Sequence, residues 1–233
     1  MEIIAEIGQN HNGDLNLAFE LIRAAKESGA DVAKFQLYEA KTLFPKEDNI
    51  WYDYNCKTEI NRDQAFQLAE ECQNVGIEFM ASAFDAERVN WLKELNVRKF
   101  KLASRSINDK ELIQEMAETG KPILASLGLW NETEFPVLKS KGSVLFLYCV
   151  SKYPTDLNDF EFSKIKFPDK YFGFSDHSIG ITAAIVALSR GAQILEKHFT
   201  LDKSMYGPDH TGSMIPDELK QIHKFRLELE KCL

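Results

Sequence analysis

Short runs of β-branched and aromatic residues alternate with longer stretches of helical period along all 233 residues of the chain. A parallel sheet requires this alternation, because a crossover connection, usually a helix, must return the chain to the same edge before each new strand. Glycine follows the helical stretch 62–75 and Pro216 opens the last one, as expected at a helix C-terminus and a first helical turn. The pattern therefore predicts an α/β fold. The eight predicted strands are residues 2–8, 31–38, 76–84, 99–104, 122–128, 143–151, 171–178 and 192–200.

Eight strand–helix units in a chain of this length match the (β/α)8 or TIM barrel, which usually has about 250 residues. We predict one barrel over residues 1–233, with no second domain and with an irregular connection at 152–170. The rival is an open doubly wound sheet, but the turn at 8–13, GQNHNG, lacks the GxGxxG spacing of its nucleotide-binding form. The insertion 39–61 follows the second strand and is read either as a lid or as a surface loop anchored by its aromatic residues.

Composition excludes several classes of partner. A formal charge of −8 and a pI near 5.3 argue against a nucleic-acid-binding surface. No apolar run is long enough to cross a bilayer, and the N-terminal sequence MEIIAEIG lacks the features of a secretory signal, so a cytoplasmic protein is expected. The four cysteines are scattered without a CxxC pair, which predicts reduced, structural thiols.

Reactive polar side chains stand near the C-terminal end of every predicted strand, where barrel enzymes carry their catalytic groups. Two lysines and several hydroxyls that converge on one barrel mouth predict an anion site, because cations supply charge and hydroxyls supply directed hydrogen bonds to phosphate or carboxylate oxygens. The residues in question are Glu6, Lys34, Gln36, Ser82, Lys101, Ser104, Ser126, Ser151, Ser175, His177 and His198.

His177 and His198 end adjacent strands and could together hold one divalent ion with open positions for water and substrate. Such a site suits Mn²⁺, Co²⁺, Fe²⁺ or Zn²⁺ better than Ca²⁺. The residues alone leave a second reading open, in which both are hydrogen-bonded core histidines. Strand alternation makes Glu196 the expected outer partner of the histidines, and His210 is read as a substrate contact.

With these residues in view, the chain resembles the sialic acid synthase family, which includes N-acetylneuraminate, legionaminate and pseudaminate synthases and related spore-coat polysaccharide enzymes. The matching motifs run in family order through essentially the whole chain and fall at successive strand ends. They are IIAEIGQNHNG, DVAKFQ, FMASAF, FKLAS, PILASLG, YCVSKYPT, GFSDHSIG, ILEKHFT and GPDHTGSMIPDEL.

The resemblance implies a transferase that condenses phosphoenolpyruvate with an open-chain aldose to give a 2-keto-3-deoxy sugar acid and phosphate. It implies a divalent metal held by His177 and His198, with Mn²⁺ expected first and Mg²⁺ or Co²⁺ as alternatives. The residues implied in catalysis are Glu6, Lys34, Lys101 and Asp209, of which Glu6 and Asp209 lie near the acceptor sugar. The residues implied in substrate binding are Gln36, Ser82, Ser104, Ser126, Ser151, Tyr153 and Ser175.

The chain also departs from the family pattern. Ser106 stands where a sialic acid synthase carries a glutamate, and a serine cannot serve as a carboxylate base. The sequence is expected to lack the C-terminal antifreeze-like domain, from which family members send an arginine into the neighbouring subunit's site, and Arg105 is a candidate to compensate. Two alternatives stay open: a Schiff-base pyruvate lyase that uses Lys34 or Lys101, and a split synthase or binding subunit that needs a separate antifreeze-like chain. The predicted assembly is a homodimer or a complex with that chain.

Overall fold

The computed structural model describes residues 1–233 and shows a closed barrel of eight parallel strands in chain order. The predicted fold class is confirmed, and every predicted strand is present. The first and last strands pair directly, with Glu6 beside His198, so the barrel closes without a free edge. The strands are β1 (Glu2–Gly8), β2 (Val32–Leu37), β3 (Glu78–Ala83), β4 (Phe100–Leu102), β5 (Ile123–Ser126), β6 (Val144–Cys149), β7 (Gly173–Asp176) and β8 (Ile194–His198).

Helices cover six of the eight connections rather than all of them. No helix lies between β5 and β6, and the predicted irregular connection between β6 and β7 contains only two 3-10 turns. The prediction of an irregular connection at 152–170 is confirmed, and aromatic side chains pack beside these two connections: Phe135 lies against Phe146 and Tyr171, with ring centroids 5.2 and 4.9 Å apart. The helices are α1 (Leu15–Glu27), α2 (Ala40–Leu43), α3 (Tyr52–Lys57), α4 (Arg62–Val75), α5 (Ala86–Glu94), α6 (Lys110–Ala117), α7 (Thr182–Ser189) and α8 (Pro216–Glu230). None of them combines the length and apolar character that crossing a bilayer requires.

Helix α4 shows how local chemistry sets the element boundaries. The Asn61 side chain accepts a hydrogen bond from the backbone N–H of Gln64, and the Gln64 side chain accepts one from the backbone N–H of Asn61. This reciprocal pair satisfies two backbone donors that the first helical turn leaves free. Gly76 ends the helix at φ +72°, in the left-handed region that favours glycine. The predicted helix therefore has its ends where the sequence places a cap and a glycine.

An apolar layer closes the lower part of the barrel and supports the polar site above it. It consists of one interior side chain from each of six strands: Ile4, Val32, Met80, Leu124, Leu147 and Ile194. Side chains two positions further along a strand face the same way. The next interior layer is therefore Glu6, Lys34, Ser82, Ser126, Cys149 and Glu196, all of them buried. These six side chains belong to the polar floor of the site, directly above the apolar layer.

The segment 39–61 is anchored over the barrel mouth by its aromatic residues. The Tyr54 hydroxyl lies 2.9 Å from the Gln9 carbonyl oxygen and 2.7 Å from Asn12 Oδ1. Trp51 packs on Tyr206 with ring centroids 5.4 Å apart, and Phe44 reaches the edge of the central cavity. Contacts with Gln9 and Asn12 on one side and with Tyr206 on the other hold the segment, as the aromatic-anchored reading of the sequence predicts.

His11 gives the fold a dependence on pH that is independent of the site. Its side chain is buried, Nδ1 accepts a hydrogen bond from the Gly13 N–H, and Nε2 has no partner. Burial lowers its pKa from 6.5 to about 4, against the opposing effect of the Asp14 carboxylate. The folded state therefore keeps His11 neutral while the unfolded state takes up a proton below pH 6.5, so this contribution to stability is lost as the pH falls towards 4.

We expect the free energy of unfolding to fall by about 2 kcal/mol more between pH 7 and pH 4.5 in the parent protein than in His11→Gln, because only the parent must exclude that proton. Urea unfolding at the two pH values measures the difference. His223→Gln, on α8, serves as the control for the loss of an imidazole elsewhere in the fold. Equal acid sensitivity in the parent and His11→Gln would contradict the assignment.

Candidate active site

A cavity of about 500 Å³ opens at the C-terminal ends of the strands. Every catalytic, substrate-binding and metal-binding residue implied by the family resemblance lines it, including those from the loops that follow β6 and β8. The structure therefore brings the predicted set together, and the role of each residue stays a prediction. The set is Glu6, Lys34, Gln36, Ser82, Lys101, Ser104, Ser126, Ser151, Tyr153, Ser175, His177, His198 and Asp209.

Lys34 stands on the cavity floor between two carboxylates. Its Nζ lies 2.6 Å from Glu6 Oε2 and 3.5 Å from Glu196 Oε2, and it donates a hydrogen bond to Ser82 Oγ at 3.3 Å. Burial opposes the charge on Lys34, but Glu196 and Glu6 outweigh it and hold the lysine pKa above its ordinary value. Gln36 donates to the other oxygen of Glu6 at 2.8 Å. The ammonium of Lys34 is therefore a permanent, fixed positive charge.

Lys101 is the second cation of the floor, and its environment differs from that of Lys34. Its Nζ donates to Ser126 Oγ at 2.8 Å and lies 3.6 Å from Glu196 Oε1. Burial lowers the pKa of Lys101, and the neighbouring Lys34 ammonium adds to this effect against the attraction of Glu196. The two lysines are thus tuned in opposite directions by the same low-dielectric site.

Glu196 lies between the two lysines and does not support the histidines as the sequence suggested. Its Oε1 accepts a hydrogen bond from Ser175 Oγ at 2.9 Å. Burial alone would raise its pKa, but Lys101 and Lys34 hold it well below the ordinary glutamate value. The expectation that Glu196 is the outer partner of the histidines is wrong, because the lysines approach it from β2 and β4 across the barrel interior. Strand alternation placed Glu196 on the correct face but could not show which charges it meets.

The histidine pair stands above this floor with ring centroids 6.0 Å apart. His177 Nδ1 lies 2.9 Å from the Val150 carbonyl oxygen. A carbonyl can only accept, so Nδ1 carries the ring proton and Nε2 keeps a free lone pair. His198 Nδ1 has no hydrogen-bond partner although the side chain is buried, and the Asp209 carboxylate lies 3.9 Å away.

These features fit a divalent cation held by imidazole nitrogens. A buried ring nitrogen without a partner and a second ring fixed in one tautomer are the arrangement that a metal ligand requires. No group of three or more His, Cys, Asp or Glu side chains is arranged to hold an ion, so water and substrate oxygens would complete the coordination. An unpartnered buried nitrogen also occurs at His11, but only that of His198 belongs to a ring that faces a second imidazole across the cavity.

The wall on the β4, β5 and β6 side contains a thiol that the sequence did not single out for the site. Cys149 is buried with Sγ 3.8 Å from both Ser104 Oγ and His177 Nδ1. Burial opposes ionisation of Cys149, but His177 and Lys101 outweigh it and lower its pKa. Gly128 is required beside it, because a Cβ there would lie 2.4 Å from Ser151 Oγ. The prediction that all four cysteines are free is confirmed, but Cys149 lines the cavity rather than serving the core alone.

The expectation that His210 contacts substrate needs correction, because His210 is fully buried, lies between Thr200 Oγ1 at 2.7 Å and Asn12 Oδ1 at 3.2 Å, and does not line the cavity. Ser106 is buried and does not line the cavity, whereas its neighbour Arg105 does. The sequence could not show this because a 3-10 turn at 104–106 directs consecutive side chains in different directions.

The family follows from the comparison of the whole sequence with known proteins. Residues 21–233 match the NeuB family model. The chain belongs to the NeuB family. It is 36% identical to N,N'-diacetyllegionaminic acid synthase of Legionella pneumophila, over 94% of this chain and 69% of the relative. It is 35% identical to human N-acetylneuraminate-9-phosphate synthase, over 99% of this chain and 70% of the relative.

A solved structure agrees with this assignment. The N-acetylneuraminic acid synthetase of Leptospira borgpetersenii, crystallised with citrate, superposes with a TM-score of 0.92 at 33% identity, over 99% of this chain and 84% of that one. The resemblance inferred from the strand-end motifs is therefore confirmed. A homodimer, or a complex with a separate chain, stays a prediction.

A buried ion pair fixes the strand ends that carry the two histidines of this NeuB-family chain. Lys197 Nζ lies 3.0 Å from Asp176 Oδ2, and both side chains are inaccessible to solvent. The other Asp176 oxygen accepts hydrogen bonds from the backbone N–H and the hydroxyl of Ser178, at 2.8 and 2.7 Å. Because these residues precede His198 and flank His177 in sequence, the pair ties β8 to the end of β7.

Replacing Lys197 by methionine is expected to lower the free energy of unfolding by about 3 to 5 kcal/mol, because it leaves the Asp176 carboxylate buried without its counter-charge. The double variant Asp176→Asn/Lys197→Met removes both charges, keeps an oxygen that accepts from Ser178, and should recover most of that loss. Urea unfolding of the parent, single and double variants makes the measurement. A double variant as unstable as the single one would show that the loss does not come from the unpaired charge.

Proposed function

We propose that this chain condenses phosphoenolpyruvate with the aldehyde of an open-chain aldose, giving a 2-keto-3-deoxy sugar acid and inorganic phosphate. The observation that carries the proposal is one cavity in which a two-lysine, hydroxyl-lined floor lies beside a histidine pair suited to a divalent ion. The names of the relatives support the same reaction class, since they are synthases of sialic, legionaminic and pseudaminic acids.

The floor is the proposed phosphoenolpyruvate site. Lys34 and Lys101 supply two buried positive charges, and Ser82 and Ser126 each lie within hydrogen-bonding distance of one of them. Before substrate enters, Glu6 and Glu196 balance these charges. The phosphate and carboxylate of entering phosphoenolpyruvate would compete with Glu6 and Glu196 for the lysines. This exchange is favourable because the entering groups accept charge-assisted hydrogen bonds from ammonium and hydroxyl donors together.

The proposed reaction forms one C–C bond, adds the oxygen of water to C2 and breaks the C2–O bond to phosphate. C3 of phosphoenolpyruvate attacks the aldehyde carbon, and a cation develops at C2. Water adds at C2 and phosphate then leaves with cleavage of the C2–O bond, so that C2 becomes the ketone of the product. Of the two protons of the water, one ends on the former aldehyde oxygen and the other on the released phosphate. Lys34 and Lys101 would stabilise the charge on the phosphate and carboxylate throughout, because they are fixed before the reaction begins.

The acceptor is proposed to lie above the floor, between Gln36 and Glu6 on one side and Tyr153 and Asp209 on the other. Asp209 lies close enough to His198 to orient its ring. From the same place it would be able to exchange a proton with the acceptor. His177 and His198 are the residues that would hold a divalent metal, expected to be Mn²⁺ with Mg²⁺ or Co²⁺ as alternatives. When bound, such an ion supplies Lewis-acid polarisation of the aldehyde.

The test is phosphate release from phosphoenolpyruvate across a panel of aldoses, with Mn²⁺ present and then removed by a chelator. We expect release that depends on both an aldose and the metal, together with a sugar-acid product of matching mass. Release without an aldose would indicate simple hydrolysis. No metal-dependent release with any aldose would overturn the proposal.

The lowered pKa of Lys101 favours a second candidate reaction, which is tested beside the first. A lysine whose amine loses its proton easily can form a Schiff base with a pyruvate-type ketone. Borohydride reduction in the presence of pyruvate, followed by mass spectrometry, would trap such an adduct on Lys101 or Lys34. We expect no adduct, because both ammonium groups lie beside Glu196. A stable adduct would overturn the proposed condensation in favour of a Schiff-base lyase.

A further inference from the structure

Arg105 differs from the other cations of the cavity in having no carboxylate beside it. The two lysines of the cavity floor, Lys34 and Lys101, pair with Glu6 and Glu196. The Arg105 guanidinium has no carboxylate within 4.0 Å. A cavity that otherwise balances each positive charge with a negative one therefore leaves this cation without a counter-charge.

The guanidinium of Arg105 is nevertheless held in place. Nη2 donates a hydrogen bond to the Leu43 carbonyl oxygen at 3.2 Å. The guanidinium carbon lies 5.2 Å from the centroid of the Phe44 ring and 6.0 Å from that of Phe84, within range for cation–π attraction. Both rings pack against the buried Tyr38. One donor is thus used to fix the group, and the other N–H groups of the fork are available to a ligand.

The position of Arg105 separates it from the proposed phosphoenolpyruvate site. Lys34 and Lys101 are each 2% exposed on the floor, whereas Arg105 is exposed at the mouth. It follows β4, which lies opposite β8 in the closed order of strands and therefore faces the wall that carries His198. A three-carbon substrate on the two lysines would lie deep in the barrel. An acceptor with its aldehyde near the histidines would extend towards the mouth.

We propose that Arg105 binds an anionic group, a phosphate or a carboxylate, at the end of the acceptor sugar that is remote from the aldehyde. This inference rests on the proposed function and names the class of acceptor: an aldose that carries a negative charge. A guanidinium fork matches either oxyanion with two parallel hydrogen bonds, and its preorganisation on Phe44 and Phe84 limits the entropy lost on binding.

The turnover experiment compares a neutral 2-acetamido-2-deoxyaldohexose, its 6-phosphate and the corresponding uronic acid, each with phosphoenolpyruvate and Mn²⁺. The parent protein is expected to show at least a tenfold higher kcat/KM for one of the two anionic acceptors, and the arm that responds identifies phosphate or carboxylate. Arg105→Met should lower kcat/KM for that acceptor by about 10- to 100-fold, the range for a lost charge-assisted interaction. The KM for phosphoenolpyruvate should change by less than about twofold, since the variant leaves the floor intact.

Lys152→Met provides the matched control. Lys152 is another exposed cation on this end of the barrel, but it pairs with Asp159 and does not line the cavity. It should keep the parent's acceptor preference. A parent that prefers the neutral aldose, an Arg105→Met variant impaired mainly in phosphoenolpyruvate KM, or an equal loss in Lys152→Met would overturn the inference.

A binding arm separates failure of this inference from failure of the proposed function. The 6-phosphate of the corresponding alditol lacks an aldehyde and cannot react, so calorimetry reports its binding whether or not the chain catalyses condensation. We expect it, or the alditol-derived carboxylate, to bind the parent at least tenfold more tightly than the neutral alditol, and the difference to disappear in Arg105→Met. Equal binding of charged and neutral alditols to the parent would reject the anionic acceptor even if condensation were observed.

Discussion

His198→Ala is expected to abolish condensation and to weaken Mn²⁺ binding by roughly 100-fold or more, because it removes one of the two protein ligands proposed for the metal. With no third His, Cys, Asp or Glu ligand arranged to compensate, the remaining imidazole cannot hold the ion alone. His177→Ala should behave in the same way, since its Nδ1 is committed to the Val150 carbonyl and Nε2 is its free ligand atom. Titration calorimetry with Mn²⁺ and the rate of phosphate release measure the two effects.

Phosphoenolpyruvate binding should survive in both histidine variants, because the lysines and hydroxyls of the floor are untouched. His223→Ala, which changes a half-buried histidine on α8, controls for the loss of an imidazole. The core-histidine reading makes a different forecast: both variants would lower the melting temperature, and no Mn²⁺ would bind even to the parent. A parent protein that takes up no divalent ion, with or without phosphoenolpyruvate, would decide for that reading.

Lys101→Met is expected to lower kcat/KM for phosphoenolpyruvate by roughly 100- to 1,000-fold, the usual cost of removing one fixed donor from a developing charge. The effect arises because Lys101 supplies one of the two buried charges of the floor, and because its loss leaves Ser126 without the ammonium partner and Glu196 dependent on Lys34 alone. Steady-state kinetics with saturating aldose and direct binding of phosphoenolpyruvate measure the loss.

Mn²⁺ uptake should remain near the parent level in Lys101→Met, since the histidines do not contact this lysine. Lys99→Met is the matched control: Lys99 lies just before β4, two residues from Lys101, and pairs with Glu2 and Glu78 at the opposite end of the barrel. It should retain kcat/KM within a few-fold even if its stability falls. Similar kinetic losses in the two variants would mean that Lys101 acts through the fold rather than through the substrate.

The positions of the floor residues and of the histidine pair could be anticipated because strand alternation is a local property. Once β1 to β8 are recognised, a period of two decides that Glu6, Lys34 and Glu196 face the interior two residues above the apolar layer. The order of the strands then brings these side chains to a common mouth. No contact needs to be known for that inference, which is why the fold and the lining of the cavity follow from the sequence.

The pairing of charges within the cavity could not be anticipated in the same way. Glu196 was expected beside the histidines and instead lies between Lys34 and Lys101, because those residues meet it across the barrel. The partner that fixes His177 is a backbone carbonyl, a group that every residue carries and no motif marks.

The path of the loops also could not be predicted from the sequence. Arg105 reaches the carbonyl of Leu43, 62 positions away in the chain, and His210 joins Asn12 to Thr200. These contacts depend on how irregular segments pack once the barrel has closed. The sequence by itself determined the barrel and the side chains that face its mouth, since both follow from local periodicity and strand order. Tertiary structure alone decided which of those side chains are partners and left Arg105 without a carboxylate beside it, because such contacts join segments distant in the chain whose meeting no local pattern encodes.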